Sequence, residues 1–85
     1  MSKYTVVLTS KAKRQLDKFP DDVVNAIIKT LESLETNPRP LGCKKLKGRE
    51  GYRIRTGNYR IIYDIIDEVL IIEIIAIGHR KEIYR

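Results

Sequence analysis

The apolar pattern changes period along the chain, and each change marks an element. Tyr4, Thr5, Val6, Val7 and Leu8 form a run of β-branched and aromatic residues, the composition of a strand. Thr9 and Ser10 supply an N-cap, and Ala12, Leu16 and Phe19 recur on one face of a short helix that ends at Pro20. Asp21 or Asp22 opens a second helix, in which Val24, Ile27, Ile28, Leu31 and Leu34 follow the spacing of an amphipathic stripe until Thr36-Asn37-Pro38 stops it. So short a connection predicts that the two helices pack antiparallel. Residues 39–51, with Pro40, Gly42, Gly48 and Gly51, read as a loop.

Beyond the loop the period becomes that of strands. Residues 52–56 alternate, Gly57-Asn58 is a two-residue turn, residues 59–66 form a longer strand, Asp67-Glu68 turns again, and residues 69–77 are the densest in β-formers. The order is strand, helix, helix, strand, strand, strand. A helical hairpin packed on one face of an antiparallel sheet buries both apolar surfaces, which predicts one small α+β domain spanning residues 1–85. The last strand carries apolar residues on both faces, which predicts a central position.

Composition narrows the chemistry. With 42% hydrophobic and 33% charged residues in 85, the chain is a folded globule with room for one core. One cysteine, Cys43, and one histidine, His79, permit no internal disulfide and no His/Cys zinc constellation, so neither a metal nor another cofactor is expected, and a reducing cytoplasm is the expected setting. Residues 1–8 lack the features of a secretory signal. Asp64, Asp67, Glu68 and Glu73 interrupt residues 61–77, so no membrane partner is expected either.

Charge supplies the positive clue. Residues 44–60 carry seven cations, Lys44, Lys45, Lys47, Arg49, Arg53, Arg55 and Arg60, against Glu50 alone, which accounts for the entire formal excess of +6. A localised excess of this kind points to a polyanionic partner. If Gly57-Asn58 is a two-residue hairpin loop, Thr56 pairs with Tyr59, Arg55 with Arg60, Ile54 with Ile61 and Arg53 with Ile62. Arg53, Arg55 and Arg60 then share one face, with two of them directly opposed. Opposed like charges cost stability, and guanidinium forks match phosphate oxygens, so the pattern reads as an anion site unless Asp64 or Glu73 neutralises it. At the end of the last strand Arg80 and Tyr84 could return to this face. A phenol beside several cations is a plausible base, and ordinary edge packing of the Tyr84 ring is the plainer alternative.

Three stretches carry a resemblance: Lys45-Leu46-Lys47-Gly48; Tyr52-Arg53-Ile54-Arg55-Thr56-Gly57-Asn58-Tyr59-Arg60-Ile61-Ile62-Tyr63; and Ile77-Gly78-His79-Arg80 with Tyr84. In order and spacing they resemble the RelE toxins of the RelE/ParE superfamily, the toxic halves of type II toxin-antitoxin modules. The resemblance implies a cytoplasmic, metal-independent endoribonuclease that enters the ribosomal A site and cuts mRNA by attack of a ribose 2′-OH on the adjacent phosphate, arresting translation. Carried over, Tyr84 is the general base, Arg60 binds the scissile phosphate, and Arg80 stabilises the transition state. Arg53 and Arg55 occupy positions that are lysines in well-studied members. Arginine does not give up a proton, so these two can clamp phosphate but not act as acids, and the leaving group's proton falls to water or His79. Lys44, Lys45, Lys47 and Arg49, with His79 and Lys81 from the tail, are the expected contacts to ribosomal RNA and mRNA. The implied resting partner is a small acidic cognate antitoxin. The alternatives are an inhibitor of DNA gyrase, as in the ParE branch, or a non-catalytic member that only binds its antitoxin.

Overall fold

Thr9 shows how local sequence becomes architecture. Its hydroxyl accepts from the Ala12 amide at 3.1 Å, capping the first helix, and donates to the Ile75 carbonyl at 3.0 Å, tying that cap to the last strand. A computed structural model of the chain describes residues 3–79. They run as β1 (Thr5–Leu8), α1 (Ser10–Asp17), α2 (Asp21–Thr36), β2 (Lys44–Lys45), β3 (Tyr52–Thr56), β4 (Tyr59–Ile66), a 3-10 turn (Asp67–Val69) and β5 (Ile71–His79). One sheet orders the strands β1-β5-β4-β3-β2, with α1 packed on β5 and β1 and α2 on β1 and β3.

The α+β class and the order of elements follow the sequence pattern, with differences of detail. The sheet is mixed rather than wholly antiparallel, because β1 runs parallel to β5 while the other neighbours are antiparallel. Two helices and three strands separate β1 from β5 in the chain, so no tight hairpin imposes a reversal between them. The loop at residues 39–51 contributes the two-residue β2. Ile28 is 41% exposed, because the α2 stripe that meets the sheet runs through Val23, Ile27, Leu31 and Leu34 and leaves Ile28 on its flank. None of the described helices is long and apolar enough to cross a membrane.

Ala12, Ile27, Leu31 and Leu34 of the helices close on Ile61, Tyr63, Ile72, Ile74 and Ile77 of the sheet. Ile74 and Ile77 point the same way although three positions apart, because the β4–β5 register shifts between Ile62 and Tyr63 and leaves Ile75 over as a bulge. That extra residue explains how a nearly continuous apolar strand keeps one face for the helices. Its exposed edge is sealed: where β1 ends, the Ile77 amide donates to Gln15 Oε1 at 2.7 Å and the Thr9 amide to the Ile74 carbonyl at 3.0 Å. The unpaired groups that would invite another strand are thus used within the chain.

The buried Tyr63 ring carries its polar end to the surface of the core, where the hydroxyl donates to the Pro38 carbonyl at 2.8 Å. Burial pushes that phenol well above its ordinary pKa. Gly51, at φ 118°, lies against the same tyrosine: a Cβ there would stand 3.1 Å from the Tyr63 carbonyl oxygen. Glycine is thus required where the loop rejoins the sheet.

Ile61→Ala is expected to lower the unfolding free energy by about 2–5 kcal/mol, read from urea denaturation. A loss below about 1 kcal/mol would remove Ile61 from the core. Asp67, hydrogen-bonded by Arg39 and Tyr4, is held below the usual carboxylate range. The stability this lends is present at neutral pH and is lost as pH falls through the folded-state pKa, in a window below about pH 4. Asp67→Asn should therefore be less stable than the native chain at pH 7, with the difference shrinking at pH 3. An equal difference at both would contradict the assignment.

Candidate nucleic-acid interface

The β3–β4 hairpin places the cations. Gly57 takes φ 60°, and since Leu70 is the only non-glycine at positive φ among the described residues, Asn58 is negative, as in a type II′ turn. That turn pairs Thr56 with Tyr59, Arg55 with Arg60, Ile54 with Ile61 and Arg53 with Ile62, the register expected from the sequence. Ile54 and Ile61 pack toward the helices, so alternation turns Arg53, Arg55 and Arg60 to the opposite face. The short β2 extends the row, setting Lys44 opposite Arg53.

Four cations from three strands therefore line one side of the sheet in different environments. Arg60 is buried at 8% exposure, Arg53 is half-buried, and Arg55 and Lys44 are exposed. Across β4–β5 Arg60 faces Gly78, so the neighbouring strand adds no side chain at that register position. Lys44, Arg53 and Arg55, with Gly42 and Ile54, line a cleft of about 210 Å³. A water molecule's share of liquid volume is about 30 Å³, so the cleft has room for a phosphate. Interactions of a guanidinium strengthen as water is excluded, and of the three arginines Arg60 is the most buried and Arg55 the most exposed.

Other expected contacts fall elsewhere. Lys45 is opposite Tyr52 and alternates away from Lys44, and Lys47 and Arg49 are exposed in the loop before β3. His79 does not join the arginine face. It pairs with Tyr59, its ring 5.7 Å from the Tyr59 ring, which in turn lies 4.9 Å from Phe19. Alternation along β5 puts His79 on the side of Ile77, with Gly78 on the side of Arg60, so a role in leaving-group protonation is poorly placed. Asp64 and Glu73 oppose each other on the arginines' face, beyond Ile62 and Ala76. Arg80, Lys81 and Tyr84 lie outside the described residues.

Sequence reading passed over Gly42, which helps line the cleft, and the pairing of Lys44 with Arg53. Two residues are too few for a strand period to register, and the only signal was the adjacency of Lys44 and Lys45. It also passed over Arg39, whose partners are 13 and 28 positions away. As a chemical surface the row presents cationic donors whose chemistry suits an anion. Its arginines do not exchange protons, so any base must come from beyond them.

Comparison with known proteins agrees with this architecture. Residues 6–84 match the family model described as the ParE toxin of the type II toxin-antitoxin system parDE. Toxin RelG of Mycobacterium tuberculosis is 33% identical over 84 residues, covering 96% of this chain and 97% of that protein. The RelBE2 toxin-antitoxin complex of the same organism superposes with a TM-score of 0.85 at 30% identity, covering 96% of this chain and 97% of that one. The isolated RelE toxin of Escherichia coli gives 0.79 at 28% identity, over 95% and 90%. The strand order, the cationic hairpin face and these likenesses together make this chain a toxin of the RelE/ParE superfamily of type II toxin-antitoxin systems.

Proposed function

We propose that the chain is a metal-independent, ribosome-dependent endoribonuclease that cuts mRNA in the A site. The observation that carries this reading is the row of Lys44, Arg53, Arg55 and Arg60, with Arg55 directly opposite Arg60. A sheet that sets two guanidinium groups against each other gives up stability, and a bound phosphate offsets that loss. In the reaction, the 2′-oxygen attacks the adjacent phosphorus as Tyr84 takes its proton. The bond to the 5′-oxygen breaks, leaving a cyclic phosphate and a 5′-hydroxyl whose proton comes from water. Arg60, Arg53 and Arg55, with Arg80, balance the charge that develops on the phosphorane. Lys44, Lys45, Lys47, Arg49 and Lys81 add contacts to the RNA backbone.

The family model's description favours a second reading, a ParE-type inhibitor that binds DNA gyrase. The row of cations weighs against it, because a protein-binding inhibitor has no need of guanidinium groups converging on one phosphate-sized cleft. In either case the resting partner is a cognate antitoxin, as relatives form complexes with RelB. An acidic partner would complement the cationic face and fold upon it.

Purified protein added to a translating system should generate new 5′ ends within codons, detected by primer extension and absent without ribosomes. Arg60→Ala should lower the single-turnover rate about 10²–10³-fold, and Tyr84→Phe about 10²–10⁴-fold. Unchanged cutting in both would remove the mechanism, and trapped DNA breaks with gyrase would favour the second reading. Arg55→Gln should raise the stability of the unbound protein by about 0.2–1 kcal/mol while weakening RNA binding. A destabilised Arg55→Gln variant would argue that the opposed pair is not a cost.

A further inference from the structure

The cations at Lys44, Lys45, Lys47 and Arg49 lie within residues 39–51, a stretch fastened to the sheet by a two-residue strand and a few backbone bonds, among them Leu46 amide to Gly51 carbonyl at 3.0 Å. Ordering such a segment costs conformational entropy at every residue. At its base stands an arrangement that the nuclease reading does not use. Arg39, the first residue of the loop, directs Nε to the Tyr52 hydroxyl at 3.2 Å, and Tyr52 is the first residue after the loop. The guanidinium carbon lies 5.4 Å from the centre of the Tyr52 ring. Arg39 Nη2 also meets Asp67 Oδ2 at 3.0 Å, and the other oxygen of Asp67 accepts from the Tyr4 hydroxyl at 2.7 Å. Entry and exit of the cationic loop are thereby joined to each other and to the β4–β5 turn.

We infer that Arg39 and Asp67 are positioning residues that clamp the base of the cationic loop and hold its lysines in register with the arginine face. The sites they serve are distant, since Arg39 and Asp67 belong neither to the row of cations nor to its cleft. The carboxylate uses both oxygens and the guanidinium two of its nitrogens, which fixes direction as well as distance. Lysine could supply the charge at position 39 but not this fork. The pair is about half exposed, at 45% and 51%, and exposed ion pairs add little to global stability. Its effect on the melting temperature should therefore be small at neutral pH, and its larger effect should appear in the loop. The functional part of this inference rests on the RNA-binding reading above.

Charge and positioning predict opposite signs for one substitution. Asp67→Asn raises the net charge of a basic protein, so charge alone would tighten RNA binding. With the clamp released, binding of a single-stranded RNA oligonucleotide at fixed salt should instead weaken by about threefold to tenfold, as when one or two charge-assisted contacts loosen. Arg39→Lys, which preserves charge, should weaken it similarly, and Asp67→Glu should restore part of the loss. In ribosome-dependent cleavage KM should rise with kcat unchanged. Amide hydrogen exchange in the unbound protein should speed up across residues 42–49 in Asp67→Asn. Binding as tight as or tighter than the native chain's, or unaltered exchange across residues 42–49, would overturn the inference. Failure of the native protein to cut mRNA on ribosomes would overturn the nuclease reading, and the exchange comparison would still decide whether the clamp holds the loop.

Discussion

The register of the β3–β4 hairpin is the constraint on which the rest depends. Side chains alternate with a period of two, so a slip of one residue would turn Ile54 outward and Arg53 and Arg55 into the core. Burying unpaired guanidinium groups is far costlier than exposing isoleucines, and that difference defends the register from the apolar side. The turn defends it from the other, since Gly57 takes the positive φ that lets a two-residue loop match the twist of its strands. Core and cationic face are thus two sides of one pairing. Neither can move without the other.

The opposite end of the sheet solves a different problem. The last strand is apolar almost throughout, and an ordinary strand of that composition would present isoleucines on both faces. The bulge at Ile75 lets Ile72, Ile74 and Ile77 all reach the helices. The same strand outruns its parallel neighbour β1, and α1 covers the remaining edge with Thr9 and Gln15. One short helix therefore serves two ends: its apolar face fills the core, and its polar groups close a sheet edge. An apolar strand left open at that edge would be an aggregation site.

Electrostatics follows from this geometry. Seven cations close in sequence are divided by the fold into a row on the sheet and a group on the loop, with Arg60 buried and Lys45, Lys47 and Arg49 exposed. Exposed loop charges attract a polyanion over a distance set by salt. A half-buried row discriminates by shape, because forked donors in fixed positions fit a phosphate in few ways. Attraction and discrimination come from the same short stretch of chain, and Arg39 with Asp67 joins the loop's two ends.

What the sequence determined by itself was whatever depends on near neighbours. The cap at Thr9, the end of α2 at Asn37-Pro38, the hairpin turn and the facing of Arg55 and Arg60 follow from residues a few positions apart, where period and turn chemistry act. The motif around Tyr52 to Tyr63 also identified the superfamily. Tertiary structure decided what depends on distant partners: the parallel pairing of β1 with β5, the bulge at Ile75, the exposure of Ile28, the pairing of Lys44 with Arg53, and the side of the sheet on which His79 lies. The network of Tyr4, Arg39, Tyr52 and Asp67 belongs here too, its members spread across 63 positions. A periodic pattern records which way a side chain faces along its own element. It holds no record of which other element arrives opposite, because that is settled by the packing of whole surfaces.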